Sequence, residues 1–229
     1  MSKYKYLLWD IDDTILDFKT AEKTAIQSLF EKYQLGICTD EMLHRYSLIN
    51  KRYWQALERG EMSKEAILTG RFKEFFSSEG LDDSIALDFN NDYQLTLGDT
   101  IIFHDDAKNI LLDMKKRYKL VAVTNGTAVA QEKKLVNSGL SDIMDAVFIS
   151  EKVGYEKPNS AFFTAVFDEL RITDLSEVLI IGDSLSSDIQ GGVHAGIDTC
   201  WYNPGNTPNT SDLNPTYIIS DLHELTDIL

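Results

Sequence analysis

Apolar residues along the chain follow two different spacings. Short apolar runs of three to six residues, typical of buried strands, occur at 4–9, 120–124, 146–149, 178–181, 199–202 and 217–219. Between the later runs, apolar residues recur three and four positions apart and predict helices over about 105–116, 127–138, 160–170, 186–195 and 222–229. Strands that alternate with helices in this way indicate a parallel sheet with right-handed crossovers.

The segment after the first run has helical spacing only. It predicts helices over about 20–35, 41–57, 63–76 and 84–97, and no convincing strand falls between Gly36 and Gly98. Ser63 has the position and residue type of a helix N-cap. We therefore predict an α/β fold, with a Rossmann-like parallel-sheet core formed by residues 1–17 and 98–229 and an all-helical domain, residues 18–97, inserted into it.

The first apolar run ends abruptly in acidic residues. Asp10, Asp12 and Asp13 follow Trp9 within four positions. In open parallel sheets, ligands bind at the carboxyl edge of the strands, which is where these carboxylates are expected. Like charges this close raise each other's pKa unless a cation intervenes, and Mg²⁺ prefers such hard oxygen ligands. The alternative interpretation is an ordinary Asp-rich turn that caps a strand.

Three later strands are followed by polar residues as well. Thr124-Asn125-Gly126 ends the second run, Glu156-Lys157-Pro158 follows the third, and Gly182-Asp183-Ser184 ends the fourth. Taken singly, they could be a helix-capping turn, a solvated lysine and a tight turn with an N-cap. Because the carboxyl ends of parallel strands share one edge of the sheet, these residues can converge with Asp10 in space.

Composition narrows the class of partner. The 229 residues are 43% hydrophobic, enough for a packed core, and the net charge of −15 argues against DNA or RNA as a partner. A small phosphorylated substrate remains compatible, since a metal and a lysine can reverse the local field. Cys38 and Cys200 have no metal-binding spacing and are expected to be core or surface residues. With no signal peptide and no apolar run near 20 residues, we expect a cytoplasmic protein with reduced thiols and no membrane partner, as a monomer or homodimer.

Four motifs follow one another along the chain: Asp10-x-Asp12-x-Thr14, Thr124-Asn125-Gly126, Lys157-Pro158 and Gly182-Asp183-Ser184-x-x-x-Asp188. This set resembles the four-motif pattern of the haloacid dehalogenase-like (HAD) superfamily. The resemblance covers essentially the whole chain, and the helical insert resembles the superfamily's helical cap. Family members more often have glycine where this chain has Asp13. The Trp-Asp-Ile-Asp-Asp-Thr form of the first motif, with the fourth motif running into Ile189, is similar to the branch of house-cleaning pyrimidine 5′-nucleotidases.

The resemblance implies a Mg²⁺-dependent phosphomonoesterase. Asp10 would be the nucleophile that forms an aspartyl-phosphate. Asp12 would protonate the leaving group and then act as the base toward water. Mg²⁺ would be held by Asp10, the main-chain carbonyl of Asp12 and Asp183.

The remaining motif residues are expected to bind the phosphate. Thr124, Asn125 and Gly126 would hold phosphate oxygens near a helix N-terminus, and Lys157 would act as a point charge on them. Thr14 and Asp188 are supporting residues; Asp188 would orient Lys157 or a metal-bound water. The substrate would be a small phosphorylated metabolite, first of all a nucleoside monophosphate, with the cap closing to exclude water. The aromatic residues of the insert are expected mainly to pack internally, and some of Arg52, Tyr53, Trp54 and Arg71 could face the substrate.

Several alternatives stay open at this stage. A phosphatase or phosphomutase for a sugar phosphate or phosphoglycolate would use the same residues. A 2-haloacid dehalogenase is disfavoured, because a halide leaving group needs no acid at Asp12. A non-catalytic HAD-like binding module would predict loss of a motif residue, and none is lost. Gly182-Asp183-Ser184-Leu185 also spells a serine esterase signature, but it falls late in the chain and Asp221-Leu222-His223 has the wrong spacing for the partner motif.

Overall fold

A computed structural model describes residues 3–229; the first two residues of the predicted core segment lie outside the described part. Six strands form one parallel sheet in the order β3-β2-β1-β4-β5-β6. The strands are β1 (Tyr6–Trp9), β2 (Lys119–Thr124), β3 (Ala146–Ile149), β4 (Val178–Gly182), β5 (Asp198–Tyr202) and β6 (Tyr217–Ile219). The predicted α/β class with a parallel sheet is therefore confirmed.

The chain forms two compact units, one made of residues up to Phe18 with Ile101–Leu229, the other of Lys19–Thr100. Helices of the second unit, the first of which begins at Phe18, are α1 (Phe18–Lys32), α2 (Asp40–Glu58), α3 (Lys64–Ser78) and α4 (Ala86–Thr96). Helices of the first unit are α5 (Ala107–Met114), α6 (Ala128–Ser138), α7 (Leu140–Ile143), α8 (Ser150–Val153), α9 (Ser160–Leu170), α10 (Gln190–Ala195) and α11 (Leu225–Ile228). Among residues 3–229, no helix combines the length and hydropathy needed to cross a bilayer.

The centre of the sheet is buried on both faces. Leu7 and Leu8 of β1 are both fully buried, and they point to opposite faces because side chains alternate along a strand. Leu7 joins an apolar cluster with Leu111 of α5, whereas Leu8 joins another with Phe162 and Phe163 of α9. Strands covered on both faces have continuous apolar sequences, which explains the uninterrupted runs at β1, β2 and β4.

The register brings the chemically reactive strand ends together. Trp9 lies level with Ala122 of β2 and Ile181 of β4. The N–H of Asp10, the next residue, donates to the carbonyl oxygen of Ile181 at 3.0 Å. The residues that follow β1, β2 and β4 therefore lie along one edge of the sheet, where open α/β folds bind ligands.

Helix ends differ from the predictions in small ways. Ser63 is the N-cap of α3, as predicted, and accepts a hydrogen bond from the N–H of Ala66. Helix α9 begins at Ser160, the predicted start, and Asn159 is its N-cap, whose side chain accepts the N–H of Ala161. The helix predicted over 186–195 begins with a wider π turn, Leu185–Ile189, before α10. The terminal helix is a 3₁₀ turn, Leu222–Glu224, followed by α11.

The helical unit has a core of aromatic rings. Phe72 lies 4.9 Å from Tyr46 and 5.0 Å from Phe89 between ring centres, distances typical of interacting rings. Arg71 is also internal, with 1% of its surface exposed, and donates to the Oδ1 atoms of Asn50 and Asn90 at 2.7 and 3.1 Å. The prediction of internal aromatic packing is confirmed, and Arg71 is part of that interior.

Candidate active site

Lys157 is the centre of the site. Its side chain is 1% exposed, and its Nζ lies 2.7 Å from Asp10 Oδ1, 2.6 Å from Asp188 Oδ1 and 2.8 Å from the carbonyl oxygen of Val123. An ammonium has three donors, so these contacts use all of them. The lysine is therefore fixed in place between the ends of β1 and β2.

Burial and charge act together on this cluster. Burial raises the pKa of the Asp10 carboxyl above its usual range, since the charged form loses hydration, and Lys157 opposes that effect. Burial alone would lower the pKa of Lys157, but the Asp10 and Asp188 carboxylates outweigh it and raise the pKa. One ammonium thus faces two carboxylates, and a further cation would balance the charge.

Three carboxylates offer a place for that cation. Ligand oxygens of Asp10, Asp183 and Asp188 all lie within 4.8 Å of one another. Carboxylate oxygens are the ligands that Mg²⁺ prefers, so this donor set fits the ion implied by the sequence. Asp183 is held by its neighbours: its N–H donates to Thr14 Oγ1 at 3.0 Å, and its carbonyl oxygen accepts from Trp201 Nε1 at 2.8 Å. Thr14 thus supports the end of β4, and Asp188 is itself one of the three clustered carboxylates.

Gly182 makes the approach of Asp188 possible. A Cβ atom added at Gly182 would lie 2.3 Å from Asp188 Cγ, closer than any real contact. The Asp188 Oδ2 atom also accepts the N–H of Ser184 at 3.1 Å. The glycine at the end of β4 is therefore required for the Asp188–Lys157 ion pair.

The turn after β2 is tied to the lysine loop. Asn125 Nδ2 donates to the carbonyl oxygen of Lys157, and the N–H of Lys157 donates to Asn125 Oδ1, both at 2.8 Å. The hydroxyl of Thr124 accepts the N–H of Gly126 at 3.0 Å. The Asn125 side chain therefore orders the backbone of Lys157. The predicted contact of Asn125 with phosphate accordingly stays a prediction for its main-chain N–H.

Asp12 makes contacts that the sequence did not indicate. Lys134 Nζ lies 2.5 Å from Asp12 Oδ1, and Gln131 Nε2 lies 2.7 Å from Asp12 Oδ2. Both partners are on α6 and are almost fully buried. One feature of the sequence could have indicated these contacts. Gln131 and Lys134 lie on the same face of α6 as the buried Ala130 and Leu135, where polar side chains need a buried partner.

Asp13 adopts a left-handed backbone conformation with φ of 60°. Its N–H donates to the carbonyl oxygen of Leu16 at 2.8 Å, which closes the turn after β1. The left-handed conformation is costly for most residue types, but aspartate tolerates it and glycine adopts it without strain. Either aspartate or glycine can therefore occupy position 13. Oxygen or nitrogen atoms of Asp13, Asp17 and His104 also lie within 4.8 Å of one another.

The family model for haloacid dehalogenase-like hydrolases matches residues 7–202. This range contains all four motifs, from the end of β1 to the residues after β4. The chain belongs to the haloacid dehalogenase-like hydrolase family.

Full-length relatives show the same family. The chain is 38% identical to the HAD-hydrolase YfnB of Bacillus subtilis over 100% of this chain and 97% of YfnB. It is 35% identical to the pyrimidine 5′-nucleotidase PynA of Streptococcus pneumoniae, over 99% of this chain and 95% of PynA. It is 29% identical to the pyrimidine 5′-nucleotidase YjjG of Escherichia coli, over 99% and 98%.

Solved structures agree with the sequence comparison. A crystal structure of YfnB bound to magnesium, described as revealing interdomain movement, superposes with a TM-score of 0.92 at 36% identity. The alignment covers 99% of this chain and 98% of that one. The fold is therefore that of the HAD hydrolases, and the protein is a hydrolase of this family.

Proposed function

We propose that the protein is a Mg²⁺-dependent phosphomonoesterase that works through an aspartyl-phosphate and hydrolyses pyrimidine nucleoside 5′-monophosphates. The contact of Asp10 and Asp188 with buried Lys157, beside Asp183, is the observation that carries the chemistry. The names of PynA and YjjG support the choice of substrate. Residues 18–97 are proposed to be the cap that selects it.

In the first step, Asp10 attacks the phosphorus atom. Lys157 binds Asp10 Oδ1, so Oδ2 is assigned as the attacking oxygen. A new bond forms between Oδ2 and phosphorus while the bond to the nucleoside 5′-oxygen breaks. The electron pair of the broken bond stays on that oxygen, which takes a proton from Asp12 and leaves as the nucleoside hydroxyl.

In the second step, water replaces Asp10. Asp12 takes a proton from the water while the water oxygen bonds to phosphorus, and the bond from phosphorus to Asp10 breaks. Free phosphate and the original Asp10 carboxylate result, and Asp12 is again protonated. The sum of the two steps is phosphomonoester plus water giving alcohol plus phosphate.

The other site residues bind and orient the phosphate. The Asp10 carboxylate, the Asp12 carbonyl and Asp183 would hold Mg²⁺, with Asp188 beside them. When bound, the ion supplies positive charge that lets the phosphate dianion approach the carboxylates. Lys157 adds a second positive charge, and the Thr124 hydroxyl with the main-chain N–H of Asn125 would receive the phosphate oxygens. The N–H of Gly126, which donates to Thr124 Oγ1, would join them by exchanging that hydroxyl for a phosphate oxygen.

Asp12 is the reason to prefer a phosphatase over a dehalogenase. An alkoxide leaving group needs a proton and a halide does not, so a carboxylate at this position serves phosphate esters. A phosphomutase would use the same residues but would return the phosphate to a second sugar hydroxyl. The net charge of −15 disfavours a nucleic-acid polymer as the partner, so the proposed partner is a small metabolite, and the proposed location is the cytoplasm.

Phosphate release from a panel of monoesters tests this proposal. The panel contains pyrimidine and purine nucleoside monophosphates, sugar phosphates and phosphoglycolate, each with Mg²⁺ and with EDTA. We expect release that requires Mg²⁺ and is fastest with pyrimidine nucleotides. Release fastest with a sugar phosphate would overturn the nucleotidase assignment alone, and isomerisation of a sugar phosphate would identify a mutase. Absence of release from every ester would contradict the whole proposal.

A further inference from the structure

Lys134 is a buried charge in a part of α6 that faces the site. Its side chain is 2% exposed and its Nζ contacts Asp12 and lies 4.8 Å from the centre of the Phe18 ring. Removing an ammonium from water is costly, and replacing a buried ion pair as a whole by apolar residues is often neutral or stabilising for the fold. Stability alone therefore gives little reason for a lysine at this position, whereas its contact with Asp12 gives a functional one.

Gln131 reaches the same carboxylate across Gly126. A Cβ atom added at Gly126 would lie 2.2 Å from Gln131 Nε2, the atom that donates to Asp12 Oδ2. The glutamine can therefore occupy its position only because residue 126 has no side chain. This contact links the proposed phosphate-binding turn to the proposed acid and base.

From these contacts, we propose that Lys134 and Gln131 are positioning residues that hold the Asp12 carboxylate in the orientation required for proton transfer. The inference rests on the proposed phosphomonoesterase function. Each donor binds a different oxygen of Asp12, so rotation of the carboxylate out of this plane would break both hydrogen bonds. Each oxygen keeps a second lone pair, which is enough to carry a proton to the leaving group and to take one from water.

Two esters with different leaving groups separate this role from a structural one. A pyrimidine nucleoside monophosphate releases an alkoxide that needs a proton, whereas p-nitrophenyl phosphate releases a stabilised phenolate that does not. In Lys134→Met and Gln131→Met, we expect kcat/KM for the nucleotide to fall about 10- to 100-fold and kcat/KM for the aryl ester to fall less than about threefold. Lys152→Met is the matched control, since it removes an exposed lysine whose partner, Glu132, is also on α6.

The second step provides an independent readout. After rapid mixing with p-nitrophenyl phosphate and quenching, the fraction of aspartyl-phosphate should be about tenfold higher in Lys134→Met than in the wild type, because Asp12 also serves as the base. Affinity for Mg²⁺, measured by calorimetry without substrate, should change less than about twofold, because neither residue contacts the carboxylates near Asp183.

The outcomes are distinguishable. Equal losses of kcat/KM on both esters, or no loss on either, would overturn the positioning role. An equal loss would instead identify a structural or phosphate-binding lysine. Failure of the wild type to hydrolyse both esters would overturn the proposed function and this inference with it.

Discussion

Two glycines allow side chains of the site to pack directly against the main chain. Gly182 admits Asp188, and Gly126 admits Gln131, in each case because a Cβ atom would occupy the same space. The sequence contained both glycines within motifs, but it could not show which side chain passes over each one. Each pair is close in sequence, but the contact depends on how the turn after the strand folds back on itself, which residue types alone do not specify.

Substitution at Gly182 tests the first of these contacts. Gly182→Ala should displace Asp188 from Lys157 and lower kcat/KM at least about tenfold, since a misplacement near 1 Å can cost about 100-fold. Steady-state hydrolysis of a pyrimidine nucleotide measures the effect. Gly80→Ala is unsuitable as a control because of its positive φ, whereas Gly205→Ala meets no atom closer than 3.5 Å. A Gly182→Ala protein with wild-type kcat/KM would show that the Asp188 contact is dispensable.

Removal of the Lys157 charge is expected to lower the stability of the fold. Lys157→Met leaves Asp10 and Asp188 buried with no cation between them, and breaking such a pair typically costs about 3–5 kcal/mol. We expect the free energy of unfolding, measured with urea, to fall by that order. Adding Asp188→Asn should restore part of the stability without restoring activity. Lys116→Met, at an exposed lysine, is the control. If it lowers the free energy of unfolding as much as Lys157→Met does, the loss in Lys157→Met does not come from the buried ion pairs.

At the level of elements, the apolar runs predicted the six strands of the described residues, although the edge strands β3 and β6 each keep one exposed residue, Val147 and Ile218. Strand ends indicated the positions of Asp10, Thr124 and Asp183. The π turn over Leu185–Ile189 was not predictable. It is defined by the bond from the N–H of Ile189 to the carbonyl oxygen of Ser184, at 3.1 Å, and no local residue preference specifies it. Gln131 and Lys134 were missed for a related reason, since the rotation of α6 depends on tertiary packing.

The connection between β2 and β3 predicts a dependence of stability on pH. Burial alone would raise the pKa of the Asp145 carboxyl, but the N–H of Leu120 at 2.9 Å and the Lys119 ammonium at 3.1 Å outweigh burial and lower it. A lowered pKa stabilises the fold above the ordinary carboxyl pKa, and this contribution disappears as the pH falls through the folded-state value.

Wild type should therefore lose more stability than Asp145→Asn as the pH falls from about 6 to about 3, by up to about 1 kcal/mol for this partly exposed group. Urea unfolding at several pH values measures both proteins. Parallel curves would mean that the Asp145 contacts contribute nothing to the pH dependence.

Over the whole molecule, the sequence predicted a parallel sheet but not its strand order. The order β3-β2-β1-β4-β5-β6 depends on contacts between segments more than a hundred residues apart, such as β1 with β2 and β4. The net charge of −15 is likewise a global property that does not reveal the site, where buried Lys157 contacts Asp10, directly after β1, and Asp188, in the segment after β4. Motif order along the chain was informative because the fold brings all strand ends to one edge.

Trapping the covalent intermediate tests the central claim most directly. Wild-type protein is mixed with Mg²⁺ and a phosphate-labelled pyrimidine nucleotide, quenched in acid within the first turnovers and mapped by mass spectrometry. We predict one phosphate on the peptide that contains Asp10, present in Asp113→Asn, whose side chain is exposed on α5, and absent in Asp10→Asn. Phosphate on another residue, or undiminished hydrolysis by Asp10→Asn, would contradict the assignment of Asp10 as the nucleophile.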